Sequence, residues 1–479
     1  MIGREKETAE LTRLYRRDKA ELVAVYGRRR IGKTYLVDET FRDRITFRHA
    51  GLSPAEMSEE AEERPVKQQL RAFYYSLVSQ GMKKSHCPAD WLEAFFMLEM
   101  HLQEIDDGAR QLIFLDELPW MDTPRSGFIT AFESFWNGWA CHRNVMVIIC
   151  GSATSWIQDK LINNRGGLYG RVTYEIKLEP FTLKECEALF RERGISISRY
   201  DIVQSYMIFG GIPFYLNYFQ RGRSLAQNVD ELFFARGAKL RLEYDRLFSS
   251  IFTNPEMMKT IIKVLSGRNK GYTRREIADR AGYSDGGTLS EALKLLIASD
   301  FIIRYVPFGE SKKNAHYKLT DPFCMFYLRF VENRDAMSED FWKENVTSQP
   351  LTSWRGYAFE NVCFLHTSQI KRALGISGIS STQSAWTKTG DDDPGAQIDL
   401  IISRKDNVVN LCEMKFYSDL FEVDKKYDLQ LRNRQGLLRK VISPKSTIHN
   451  TLITTYGIKE NEYRWSFDNV ITMEDLFEG

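Results

Sequence analysis

Apolar residues in this chain gather into short dense runs, several of which stop at a glycine or an acid. Leu22-Val23-Ala24-Val25-Tyr26 runs into Gly27, Leu112-Ile113-Phe114-Leu115 into Asp116-Glu117, and the run 145–150 into Gly151-Ser152-Ala153-Thr154. Runs of this length without alternation read as strands buried on both faces of a parallel sheet. A helix is expected at 35–39, directly after the first strand. From 181 to about 250 charged residues are frequent and β-branched runs few, so that stretch reads as helical. Three further helical patterns follow, at 255–265, 273–278 and 288–299. Thr273 is the N-cap of the second, and Glu276 completes a capping box. A β segment at 301–306, a polar loop and a second segment at 315–319 come next, and three helices followed by a hairpin predict a winged helix. Asp321-Pro322-Phe323 opens an aromatic-rich helix that reads as core packing. In the last third, an amphipathic helix at 355–360 and a loop rich in Asp, Gly and Pro precede strands at 397–402 and 408–415, joined by a turn at 405–407.

The chemistry sits at the ends of these strands. Gly27-Arg28-Arg29-Arg30-Ile31-Gly32-Lys33-Thr34 matches the phosphate-binding pattern G-x-x-x-x-G-K-[ST] at every fixed position, between a strand and a helix. Glycines let the backbone curl so that its N–H groups face phosphate oxygens. Lys33 is placed to reach the β/γ-phosphates and Thr34 to hold Mg²⁺. Asp116 at the second strand tip would join the Mg²⁺ shell, and Glu117 would orient the attacking water, a pairing that favours hydrolysis over binding alone. The third tip allows two readings: Ser152 or Thr154 senses the γ-phosphate, or simply caps the next helix. Arg171, after a Gly-rich loop, is either an arginine finger or half of a surface ion pair. Arg28, Arg29 and Arg30 are expected to be partly solvated, or to contact DNA or a neighbouring domain.

Gly3-Arg4-Glu5 followed by Glu10-Leu11, the phosphate loop, the Asp116-Glu117 pair and Gly210-Gly211-Ile212-Pro213-Phe214-Tyr215-Leu216 together resemble the archaeal-type P-loop ATPase family, of the STAND/AAA+-like group, over about residues 1–250. The resemblance implies an ATPase, with ATP and Mg²⁺ as its ligands. It places Gly3-Arg4-Glu5 near the adenine and makes Gly211-x-Pro213 the lid motif whose proline contacts the base. Physically, Gly210-Gly211 before Pro213 is also a plain helix terminator.

The third helix of the winged-helix pattern would be the base reader, yet Lys294 is its only basic residue, which makes it a poor groove reader. Lys312 and Lys313 in the wing could contact phosphates. DNA contact and a purely structural role both remain open.

The C-terminal strands carry Asp399, then Glu413-Met414-Lys415. Glu413 and Lys415 share a face because the side-chain period is two, and Asp399 on the antiparallel neighbour can join them. Two carboxylates beside a lysine can hold a divalent metal. The pattern resembles the PD-(D/E)xK nuclease fold, within the DUF234 domain of this ATPase family. That resemblance adds Glu360 as the first-helix acid and puts Gln430 or Arg434 on the following helix. It makes Glu360, Asp399 and Glu413 metal ligands, and Glu413 and Lys415 catalytic. The alternatives are an exposed strand with a salt-bridged Glu-Lys pair, and a nuclease-like fold retained for binding only.

At 479 residues the chain has room for three or four domains. Its 43% hydrophobic and 27% charged residues are those of a globular protein, and a net charge of +2 limits any DNA surface to a local patch. No apolar run approaches the roughly 20 residues that cross a bilayer, the charged first residues are unlike a secretory signal, and seven scattered cysteines suggest neither zinc nor disulfides. A cytoplasmic protein without membrane contact is expected. The expected fold class is α/β: a P-loop ATPase core at 1–180, a helical lid at 181–254, a winged helix at 255–335 and an αβββα nuclease-like domain at 350–479. The expected function is an ATP-driven switch that gates a nuclease-like domain acting on nucleic acid, DNA first, with a homo-oligomer left open. The alternative is an ATP-dependent regulator or scaffold whose C-terminal domain binds a partner.

Overall fold

The computed structural model describes every residue except 54–56, 58–63, 165, 333–337, 389–395 and 479. The Asp-, Gly- and Pro-rich loop before Gln397 therefore lies outside the described residues. The chain divides into two compact units, Met1–Pro180 with Arg246–Pro255, and Phe181–Asp245 with Glu256–Gly479. Among the described residues no helix is long and apolar enough to cross a membrane.

The first unit opens with α1 (Glu5–Tyr15), β1 (Glu21–Tyr26), α2 (Lys33–Phe41), β2 (Phe47–Ala50), α3 (Pro65–Ser79), α4 (Trp91–Glu104) and β3 (Gln111–Asp116). It continues with α5 (Leu118–Met121), α6 (Phe128–Gly138), β4 (Val145–Gly151), α7 (Thr154–Ile157) and β5 (Tyr174–Lys177). The strands form one parallel sheet in the order β2-β3-β4-β1-β5. β1, β3 and β4 are buried along their whole length, which is why they appear in the sequence as unbroken apolar runs. One face is covered by α3, α4 and α6, whose aromatic rings pack edge to face: Phe73 on Trp91 at 5.6 Å and Trp91 on Phe128 at 4.9 Å. Parallel order sends the chain back beneath the sheet after each strand, so the C-terminal tips of β1, β3 and β4 emerge on one edge, with β4 between the other two.

The second unit begins with α8 (Leu183–Glu192), α9 (Arg199–Phe209), α10 (Pro213–Leu216) and α11 (Leu225–Phe233); α12 (Glu243–Ile251) contains a unit boundary. Gly210 ends α9 in the left-handed conformation, and Pro213 is at the first turn of α10. Gly211 also has a φ of +67°, and a Cβ there would stand 2.2 Å from the Phe181 carbonyl oxygen, so this corner admits only glycine.

Next come α13 (Pro255–Ser266), β6 (Tyr272–Thr273), α14 (Arg274–Ala281), α15 (Gly287–Ala298), β7 (Ile302–Tyr305) and β8 (His316–Leu319). The three strands pair antiparallel in the order β6-β8-β7. The Thr273–Glu276 capping box is formed at the start of α14. α16 (Pro322–Phe330), α17 (Phe341–Asn345), α18 (Gln349–Leu365) and α19 (Thr367–Ala373) follow. Phe326, Phe330 and Trp342 each meet the Trp354 ring within 5.9 Å, so the aromatic helix is core.

The chain closes with β9 (Ser381–Lys388), β10 (Ala396–Arg404), β11 (Val408–Lys415), α20 (Lys425–Arg439), β12 (Thr447–Thr454), β13 (Asn469–Thr472) and α21 (Met473–Leu476). Their sheet runs β13-β12-β11-β10-β9. β9, β10 and β11 pair antiparallel, whereas β11, β12 and β13 pair parallel.

Buried His366, just before α19, ties this end of the chain to α8. Its Nε2 accepts from the Leu183 N–H at 3.2 Å and its Nδ1 bonds the Val362 carbonyl at 2.9 Å, which requires a neutral ring protonated at Nδ1. Burial pulls the imidazole pKa down to about 4. The unfolded chain binds a proton first, so this stabilisation is present above the unfolded pKa and is lost as the pH falls toward 4. The thermal midpoint of the wild type should therefore fall more steeply between pH 7 and pH 4.5 than that of His366→Gln; parallel profiles would refute the assignment.

Candidate functional site

β1 delivers the chain into the phosphate loop at the emerging sheet edge. Gly27 has φ +139°, and a Cβ there would lie 2.4 Å from the Leu178 carbonyl oxygen. Gly32 has φ +89° and precedes α2, but an added Cβ would meet nothing closer than 4.0 Å. The first glycine is required by crowding and the second by its dihedral alone, so the hollow of the loop stays clear beside Gly32. Lys33, buried in the first turn of α2, turns its ammonium onto the loop, donating to the Gly27 and Arg28 carbonyls at 3.1 and 3.0 Å. Burial pushes its pKa down, while Glu117 and Asp116 oppose that shift. The loop is braced from outside by Arg4, whose guanidinium donates to the carbonyls of Ile31 at 3.3 Å and Glu179 at 2.8 Å. The expectation of partly solvated loop arginines needs correction at Arg28, which is buried; Arg29 and Arg30 are half-buried, and Arg29 lies over the Trp120 ring at 5.8 Å.

Across the edge, the Thr34 hydroxyl donates to Asp116 Oδ2 at 2.7 Å. Two oxygens in adjacent positions of an octahedral Mg²⁺ shell stand about 2.9 Å apart, so this pair has the spacing and the hard donors that such an ion takes. Burial, joined by the Glu117 charge, raises the Asp116 pKa against the Thr34 hydrogen bond. Glu117 follows in a left-handed conformation, φ +43°, with its N–H on Asp116 Oδ1 at 2.9 Å. Its carboxylate accepts from the Ser152 hydroxyl at 2.9 Å and the Ser152 N–H at 3.1 Å. Ser152 thus binds the proposed water-orienting acid, and α7 has no side-chain cap from either candidate.

Arg171 lies elsewhere. It precedes β5, and the Thr173 N–H bonds the Leu22 carbonyl near the start of β1. At about 3.3 Å per residue, the length of β1 puts roughly 20 Å between that edge and the phosphate loop, beyond the reach of an arginine side chain. Arg171 is exposed and, among the described residues, forms no ion pair. The path of the chain therefore keeps Arg171 from this chain's own phosphate loop, and the surface ion pair is not formed among the described residues.

Residues 1–219 match the family model described as an ATPase domain predominantly from Archaea. The uncharacterized protein MJECL04 of Methanocaldococcus jannaschii is 26% identical over 366 residues, 75% of this chain and 76% of that protein. Among solved structures, a Walker-type ATPase of Pyrococcus abyssi aligns at TM-score 0.47 and 18% identity over 69% of this chain and 96% of its own. The Aeropyrum pernix ORC2 protein, solved with ADPNP and ADP, aligns at 0.41 and 11% over 77% and 96%.

The second unit gathers acids around β10 and β11. Leu400 pairs with Cys412, and the register of β10 on β9 shifts between Ile398 and Ile401, so the regular alternation breaks at Asp399. Glu413 and Lys415, two apart on β11, share a face, but strand periodicity does not carry Asp399 to that face. Their partners then divide. Glu413 is ion-paired with Arg434 of α20, accepts from the Tyr427 hydroxyl at 2.9 Å and has the Lys415 ammonium 3.9 Å away. Asp399 accepts from Gln397 Nε2 at 2.7 Å, and Glu360 on α18 accepts from Asn269 Nδ2 at 2.6 Å. Burial and the Asp399 charge push the Glu360 carboxyl up to about 8, while Lys318 and Lys415 act against the shift. Lys318, buried on β8, is pushed down by burial and held up by Asp399 and Glu360.

The expected cluster of Glu360, Asp399 and Glu413 around one ion is therefore not assembled here: among the described residues no three acids, histidines or cysteines stand close enough to share a metal. Arg434 takes Glu413, while Glu360 and Asp399 are bonded by Asn269 and Gln397. The sequence reading missed Lys318, Asn269 and the hold of Ser152 on Glu117. Ser152 was marked by its strand tip, whereas Lys318 and Asn269 lie far from the acids in sequence and carry no local signal.

Glu117→Gln should lower the rate of ATP hydrolysis by orders of magnitude and leave ATP affinity within a few-fold. Ser152→Ala should cost about tenfold in rate, the worth of one hydrogen bond to a charged group, because the backbone donor remains. Single-turnover assays measure both, and a wild-type rate in Glu117→Gln would remove its assigned role.

Proposed function

We propose that this chain is an ATP-hydrolysing switch whose nucleotide state governs a C-terminal nuclease-like domain acting on nucleic acid. The observation that carries the ATPase part is the Thr34–Asp116 contact beside Glu117, which brings the ion-holding pair and the water-orienting acid to one sheet edge. Mg²⁺ held there would neutralise charge on the β- and γ-phosphates. Lys33 would exchange the loop carbonyls for phosphate oxygens, and the backbone N–H groups of the loop would bind the remaining ones. Helices α8 to α11 would serve as the lid, with Pro213 against the adenine. Any finger role for Arg171 would be played in a neighbouring copy within a homo-oligomer, since its own loop is out of reach.

In the second unit we take α13 to β8 as a winged helix, and α18 with β9, β10, β11 and α20 as the αβββα core of a PD-(D/E)xK-like domain of the DUF234 type. Antiparallel β9-β10-β11, followed by α20 and parallel β12, supports that reading. So do the shared face of Glu413 and Lys415 and the position of Glu360 on α18. Divalent metal at Glu360, Asp399 and Glu413 would polarise a phosphodiester, and Lys415 would stabilise the added negative charge. Glu413 would first have to leave Arg434. That ion pair is the specific observation favouring a second reading, in which the domain is catalytically inactive and binds a partner.

Incubation of the full chain with Mg²⁺ or Mn²⁺ and single- or double-stranded DNA and RNA, with and without ATP, separates the two. Lys33→Ala should abolish ATP binding, and with it any ATP-dependent cleavage. Glu413→Ala should abolish cleavage and keep wild-type ATP hydrolysis. Cleavage that survives Glu413→Ala would contradict the site, and no cleavage of any substrate would leave the partner-binding reading.

A further inference from the structure

A cavity of about 850 Å³ opens beside the acidic cluster of the second unit. Arg268, Asn269 and Lys270, between α13 and β6, form one wall; Arg329 of α16, Tyr357 of α18 and Gln397 of β10 face it. Two of these residues hold the acids already described: Asn269 donates to Glu360 and Gln397 to Asp399. The cavity therefore borders the candidate nuclease centre and is built largely from the winged-helix segment and the helices that follow it.

Its charge is uneven. Arg268 is fixed by an ion pair with Glu276 at 3.1 Å and lies over the Tyr272 ring at 5.4 Å. Lys270 and Arg329 form no ion pair among the described residues. Burial and the neighbouring Arg268 charge lower the Lys270 pKa, with Glu276 acting against them. Tyr357 keeps 55% of its surface exposed in this setting. Cations left over along a concave wall attract a polyanion, and an exposed aromatic ring gives an unpaired base a surface to stack on.

We propose that this cavity binds single-stranded nucleic acid, with Lys270 and Arg329 on backbone phosphates and Tyr357 under a base, and leads the strand to Glu360 and Asp399. What happens to the strand there rests on the nuclease reading; the binding does not. The proposal gives the winged helix a use that its third helix, with Lys294 as the one basic residue, does not supply: it is the wall of a strand channel rather than a groove reader.

The test is fluorescence anisotropy of labelled oligo(dT), oligo(U) and a DNA duplex with the full chain in EDTA, where metal-dependent cleavage cannot occur, so that a failed nuclease reading and failed binding are separate results. The wild type should bind at least one single strand more tightly than the duplex, and either sugar fulfils the proposal. Lys270→Glu/Arg329→Glu should weaken that binding at least tenfold. It should also reduce the slope of log affinity against log salt by about 1.4, two phosphate contacts at about 0.7 each. Tyr357→Ala, a surface change, should weaken binding several-fold with the slope unchanged, which keeps the test open if the double variant has a lowered thermal midpoint. Lys312→Glu/Lys313→Glu in the exposed wing should bind as the wild type does. Wild-type affinity in both cleft variants, equal loss in the wing variant, or no single-strand binding by the wild type would overturn the proposal.

Discussion

One short contact, the Thr34 hydroxyl on the Asp116 carboxylate, depends on most of the first unit being right. Thr34 belongs to the helix launched by β1, and Asp116 ends β3, two strands away with β4 between them. The two side chains meet only if all three strands run parallel, end at the same level and are packed tightly enough to keep that level. Fully buried strands and the aromatic layer beneath them provide this. Gly27, where any side chain would strike Leu178, lets the loop turn close to the sheet.

Around that contact the protein satisfies each active group with its own atoms. Lys33 is on two loop carbonyls, Glu117 on Ser152, and Thr34 on Asp116. Buried polar groups are costly when unpaired, so such partners hold the side chains close to where phosphate, water and ion would need them. The same economy governs the second unit, where Glu413 is paired with Arg434 while Glu360 and Asp399 are bonded by Asn269 and Gln397. There the protein partners compete with the metal that the acids could hold, and among the described residues no ligand set forms.

What could be read in advance follows from how local each signal is. The phosphate loop is legible because fixed spacing in one turn determines its geometry. The Asp116-Glu117 pair is legible because it ends an apolar run, and the Thr273–Glu276 capping box because it closes within four residues. Glu413 and Lys415 share a face because strand periodicity decides it, whereas the place of Asp399 depends on a bulge in β10 that no local pattern records. Arg171 was misjudged because its position depends on where the chain re-enters the sheet after α7, which no local pattern records. Lys318 and Asn269 come from segments far from Glu360 in sequence, so only the packing of the second unit brings them to the acids. Arg28 looked like a surface cation and is buried by its tertiary neighbours.

The central claim is that the protein partners of Lys33, Thr34 and Asp116 stand where a nucleotide and its ion bind. A crystal structure of the full chain with Mg²⁺ and ADP–beryllium fluoride tests this most directly. Lys33 should have left the Gly27 and Arg28 carbonyls for the fluoride and phosphate atoms. Thr34 and Asp116 should share the ion, directly or through its water, with Glu117 facing the water in line with the beryllium. A complex in which the nucleotide binds elsewhere, with Lys33 still on the loop carbonyls and Thr34 still bonded only to Asp116, would contradict the account.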